Sequence, residues 1–101
     1  MKHQRITITA GTGPLEVRKF VAHLARRLER RCRSTDIEIS STTFFGDESA
    51  PKSVTFHVQG DAKAKLGDEL GSHVLLWRSS NRSRRSRKRW FASISMSEDL
   101  Q

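Results

Sequence analysis

The chain has 101 residues and carries 19 Lys and Arg against 11 Asp and Glu, a net charge of +8. One small domain accounts for that length, and its 35% hydrophobic content, spread along the chain, excludes wholesale disorder. No apolar run approaches the ~18 residues that a bilayer span requires, and a pI near 10.8 points to a polyanionic partner, with RNA or DNA ahead of an anionic membrane.

The opening residues 1–5 lack the apolar stretch of a secretory signal, so a soluble cytoplasmic protein is expected. Cys32 is the only cysteine, which leaves no disulfide framework and no thiolate zinc cluster. His3, His23, His57 and His73 fall singly, without metal-ligand spacing. No metal and no cofactor are expected.

Residues 5–9 alternate apolar and polar, as a half-buried strand does. Residues 10–14 break it, with Thr12 or Gly13 suited to cap a helix and Pro14 to its first position. Over residues 14–33, Val17, Val21, Leu24, Leu28 and Cys32 make the apolar stripe of a helix, widened by Phe20 and Ala25. Its other face is crowded with arginine. Residues 36–40 alternate again and predict a second strand. The turn-rich stretch 44–51 predicts a loop, and residues 53–58 a third strand. Asp61 can cap a short helix through Leu66, weakened by Gly67. Residues 74–77 are apolar enough to predict a central fourth strand. Residues 90–96 predict a fifth, with Trp90, Ala92, Ile94 and Met96 on one face, and residues 97–101 a frayed tail.

This order is β-α-β-β-α-β plus a final strand. It predicts an α+β domain of the ferredoxin-like, split βαβ kind, with two helices on one face of a mainly antiparallel sheet. Residues 1–101 read as a single domain.

The charge is concentrated. Residues 78–89 read Arg78, Ser79, Ser80, Asn81, Arg82, Ser83, Arg84, Arg85, Ser86, Arg87, Lys88, Arg89, so seven of twelve are basic and none is acidic. The segment lies between two predicted strands and is read as a basic loop. A loop tethered at both ends is a positioned polycation. Arginine forks suit phosphate oxygens, Ser and Asn reach sugar hydroxyls or base edges, and Trp77 and Trp90 can stack on bases. Arg78, Ser79, Ser80, Asn81, Arg82, Arg84, Arg85, Arg87, Lys88, Arg89 and Trp90 are therefore the candidate RNA-binding residues. The first helix's arginines offer secondary contacts. A merely solvated loop, or a Ser-Arg phosphorylation target, is the plainer alternative.

No catalytic constellation is found. His57 lies mid-strand, where a structural role is expected, Asp47 and Glu48 are adjacent in a loop, and Cys32 falls on an apolar stripe. Gly11-Thr12-Gly13 precedes a helix, but the lysine of a P-loop is missing. Neither independent catalysis nor a small-molecule substrate is expected.

Several segments together resemble the bacterial class I peptide chain release factors, over residues 5–96. Ile8-Thr9-Ala10-Gly11-Thr12-Gly13-Pro14-Leu15-Glu16 is similar to the family's "I-x-A-G-x-G-G-x-E-A" turn, with Pro14 and Val17 as departures. Gly71-Ser72-His73 resembles "G-V-H-R". Six residues beyond the histidine, where the family places its codon-reading tripeptide, stand Ser79, Ser80 and Asn81. Phe91-Ala92-Ser93-Ile94 resembles "F-A-S-V". Within the family the likeness is greatest to the release factor H branch, whose pattern S-P-Y-R-P-x-H-x-R-K-N-W-F is met at Ser79, Arg82, Arg87, Lys88, Trp90 and Phe91.

The resemblance covers only the family's second, codon-recognition domain. It implies a stand-alone domain that binds the ribosome through ribosomal RNA at or near the decoding site, in translation termination or ribosome rescue. Ordinary release factors carry His-Thr-Ser where Lys88-Arg89-Trp90 stand here, which implies contact with phosphates rather than stop-codon reading. The family's catalytic Gly-Gly-Gln does not occur in these 101 residues. Peptide release would then need a separate Gly-Gly-Gln protein, making this the codon-recognition half of a split peptidyl-tRNA hydrolase. A small basic DNA-binding or regulatory protein is a further alternative.

Overall fold

The computed structural model describes residues 3–10, 15–78 and 87–98. The elements are β1 (His3–Thr9), α1 (Leu15–Ser34), β2 (Glu38–Asp47), β3 (Ala50–Gln59), α2 (Ala62–Leu66) with a following 3-10 turn (Gly67–Glu69), β4 (Gly71–Arg78) and β5 (Arg87–Glu98). All pairings are antiparallel, and the five strands run in the order β2-β3-β1-β5-β4. The α+β split βαβ layer expected from the element order is the fold observed.

The core lies between this sheet and the two helices. Ile6 and Ile8 of β1, Val54, Phe56 and Val58 of β3, and Ala92 and Ile94 of β5 alternate onto one face and are buried. Val17, Val21, Leu24, Leu28 and Cys32, the whole predicted stripe of α1, are buried with them. From α2, Ala62 and Leu66 join the same cluster, so both helices cover the same face.

The end of α1 is closed by local chemistry. Asp36 adopts a left-handed conformation (φ 60°), and the Ile37 N–H turns back to the Cys32 carbonyl at 2.9 Å. That six-to-one bond is a Schellman closure, with buried Ile37 as its hydrophobic partner. The Thr35 hydroxyl adds a bond to the Arg31 carbonyl at 2.6 Å.

Two polar clamps fix α2 and the approach to β4. The buried Gln4 side chain accepts the Ala62 N–H at 3.0 Å, and Asp61 caps the helix through the Ala64 N–H. Glu69 is buried, yet it is charged. Arg31 reaches it at 2.8 Å and Arg27 at 3.4 Å, while Asp68 takes a second Arg31 bond at 2.6 Å. The Arg31 guanidinium holds the Asp68 carboxyl below its usual range. His73 meets the Glu69 carbonyl at 2.7 Å, which ties the first residues of β4 to the same cluster.

Several boundaries differ from the sequence reading. The predicted loop 44–51 is strand on both sides of a two-residue turn at Glu48 and Ser49. Gly46 (φ 96°) bends the chain, and the Asp47 carboxylate accepts both the N–H and the hydroxyl of Ser49 at 3.0 Å. The turn residues were real, but the turn needed only two of them.

β4 is not central. It is an edge strand, and Val74 is 52% exposed. β5 takes the place beside β1, where Ile94 and Met96 sit opposite Ile8 and Ile6 and Ala92 continues the same core-facing side beneath the helices. The tail is not wholly frayed either: Ser97 and Glu98 pair with Arg5 and Gln4, while residues 99–101 lie outside the described residues.

Candidate nucleic-acid interface

β1 pairs with β5 only as far as Thr9 opposite Ser93. β4 and β5 continue together for six further pairs, from His73 opposite Ala92 to Arg78 opposite Arg87. At about 3.4 Å per residue this two-stranded ribbon is roughly 17 Å long. It carries the two ends of the basic segment away from the sheet. The β2–β3 turn lies at the same end of the sheet, since Thr9 also pairs with Ser53 near the start of β3.

The candidate RNA-binding residues divide into two groups. Arg78 closes β4, and Arg87, Lys88, Arg89 and Trp90 open β5, opposite Arg78, Trp77, Leu76 and Leu75 respectively. The predicted loop 78–89 is thus shorter than expected, because the ladder extends into it from both sides. Ser79, Ser80, Asn81, Arg82, Arg84 and Arg85 lie outside the described residues. The register places arginine opposite arginine at the last described pair.

The arginines of α1 are not all available as secondary contacts. Arg27 and Arg31 are engaged by Glu69 and Asp68, and Arg33 by Glu29 at 2.5 Å. Lys19, Arg26 and Arg30 are exposed and make no ion pair among the described residues. They recur at spacings of seven and four, along one stripe of the helix.

Other chemistry is thin. Cys32 is a buried free thiol whose ionisation is pushed up, chiefly by desolvation. His57 is half-buried on the sheet face away from the helices. Among the described residues, no group of three or more His, Cys, Asp or Glu is gathered in one place, and no helix is long and apolar enough to cross a membrane. An open groove between α1 and β2, floored by Ile37, Ile39 and Phe44, has Glu29 and Arg33 on its rim, and these pair with each other.

The sequence reading missed the buried Glu69 and Gln4. A carboxylate after a short helix looks like surface, and only the approach of α1 from 38 residues away buries it. The described exposed rings, which the sequence reading did not single out, are Phe44, Phe45 and Phe91; the side chains of Trp77 and Trp90 lie outside what is described. Strict alternation with buried Ala92 and Ile94 was the signal that would have put Phe91 on the open face.

The chain is thus a five-stranded antiparallel sheet covered on one face by two helices and extended by a two-stranded ribbon that leads into the basic segment. Among solved structures it is similar to RF2 of Thermus thermophilus, with a TM-score of 0.72 and 24% sequence identity over 99% of this chain. The chain spans 29% of the length of that protein. No family model matches the sequence, and no curated protein matches it.

Proposed function

We propose that this chain is a release-factor-like domain that binds ribosomal RNA at or near the decoding site, in translation termination or ribosome rescue. The basic segment 78–89 is its contact surface. The observation that carries the reading is the coincidence of two features. The chain shares its fold almost end to end with part of RF2, and nearly all its net charge lies in residues 78–89, which begin and end on the two strands of a projecting ribbon. The contact is with backbone phosphate, because Lys88 and Arg89 stand as cations where ordinary members of the resembled family carry His and Thr.

These residues do not hydrolyse a peptidyl-tRNA ester by themselves in this reading. The Gly-Gly-Gln that does so in the resembled family is absent from the 101 residues, and the chain corresponds to less than a third of RF2. Hydrolysis is left to a Gly-Gly-Gln domain acting beside it, and a pull-down with such a protein tests that part directly.

Co-sedimentation with 30S and 70S particles tests the main reading. Binding weakens with salt with a log–log slope of roughly −3.5 to −4.5 if about five cations meet phosphates. Reversing Arg84, Arg85, Arg87 and Lys88 to Glu abolishes it. Binding that survives this reversal, or duplex DNA bound as tightly as ribosomes, overturns the reading.

A further inference from the structure

The sheet face turned away from the helices is rich in hydroxyls. Thr55, Thr7 and Ser95 form one cross-strand row, and the Thr7 and Thr55 hydroxyls lie 3.2 Å apart. Ser53, Thr9 and Ser93 form the next. Two rings break this pattern: Phe45, opposite Ser53 and far from the ribbon across the sheet, and Phe91 at the ribbon itself. Phe91 alternates with the buried Ala92, so it stands on the open face, and it is 59% exposed. Its cross-strand neighbour is Val74, which is 52% exposed. The β1 ladder has already ended at Thr9 opposite Ser93, so β1 does not pair alongside Phe91.

The outcome is a small apolar spot at the root of the basic ribbon. Arg89 and Arg87 stand two and four residues before Phe91 on the same strand, about 7 and 14 Å along it. Two side chains make too small a patch for the core of a protein interface, which is also depleted of charge. A flat exposed ring beside a hydroxyl-rich face, on a strand that begins in a basic run, suits a ligand that is flat and apolar on one face and anionic along its edge. An unpaired nucleotide has that character.

We propose that Phe91, backed by Val74, is a stacking platform for one unpaired base of the RNA whose phosphates the ribbon holds. The inference rests on the RNA-binding reading above and adds the site at which a base is bound. Stacking on an aromatic ring is tolerant of base identity, so the platform supplies affinity and register without codon reading.

The test uses a fluorescein-labelled single-stranded oligoadenylate and an abasic oligomer of equal length and charge. Fluorescence anisotropy is measured across a salt series. The wild-type protein binds the oligoadenylate more tightly. Phe91→Leu weakens that binding about 5- to 100-fold, leaves the abasic oligomer unchanged and leaves the salt slope unchanged, because no cation is removed. Phe91→Trp retains the preference for bases. Equal binding of the two oligomers by the wild type overturns the stacking platform and leaves the phosphate-binding reading standing. So does a Phe91→Leu variant that matches the wild type, or one that loses both oligomers alike. Failure of the wild type to bind either oligomer at low salt overturns both.

Discussion

Glu69 gives the sharpest test of what holds the ribbon's root in place. Its side chain is only 3% exposed, whereas its partners Arg27 and Arg31 are 52% and 32% exposed. The buried charge is therefore the carboxylate, and the arginines are free to turn to water when it is removed. Glu69→Gln keeps the volume and exchanges one good charge-assisted bond, at 2.8 Å, and one long one, at 3.4 Å, for neutral contacts. A charged hydrogen bond is worth about 1.5–3 kcal/mol and the long one adds little, so a loss of about 2 kcal/mol is expected. For a domain of this size that lowers the thermal midpoint by roughly 8–16 °C. The converse change is worse. Replacing Arg27 and Arg31 together leaves an uncompensated charge in the core, and unpaired buried charge costs more than the pair was worth. Asp68→Asn has little effect despite the shorter 2.6 Å bond, since that carboxylate is 68% exposed and screened by water. Urea unfolding of the three variants measures the order. If Asp68→Asn costs as much as Glu69→Gln, or the double arginine variant costs less, burial is not what sets these energies.

Two further predictions follow from buried groups. Gln4→Leu leaves the buried Ala62 N–H without its acceptor and destabilises the fold by about 1–3 kcal/mol; a stability equal to wild type in urea would show that the bond contributes nothing. Cys32 has its ionisation pushed up by burial, so the native thiol stays protonated while the unfolded one ionises in the ordinary thiol range. Stability is accordingly full below that range and declines as pH rises through and above it. A chromogenic disulfide reagent reacts with Cys32 only on unfolding; rapid reaction of the native protein would refute the burial.

Much of the fold was legible because its signals are local. The apolar stripe of α1, the alternation of β1 and β3, and the in-phase Ala92, Ile94 and Met96 each report which face is buried. The element order then restricts the topology, because a strand–helix–strand unit with an antiparallel strand between its arms has few right-handed solutions. The candidate site was legible as charge: seven cations in twelve residues need no coordinates to be seen.

What the sequence did not reveal depends on contacts between distant residues. Nothing in the run 74–77 tells an edge strand from a central one; that is decided by β5 pairing with β1. No pattern marks Glu69 as buried, because its burial is completed by α1. The same holds for the arginines of α1, which look alike in sequence but divide by which of them face Asp68 and Glu69. Composition and periodicity determined by themselves that this is a small, basic, layered α+β domain with a cationic segment held between strands. Tertiary structure alone decided which strand lies at the edge and which charges are already neutralised. Periodicity records one residue's own face, whereas each of those outcomes depends on a second segment arriving from elsewhere in the chain.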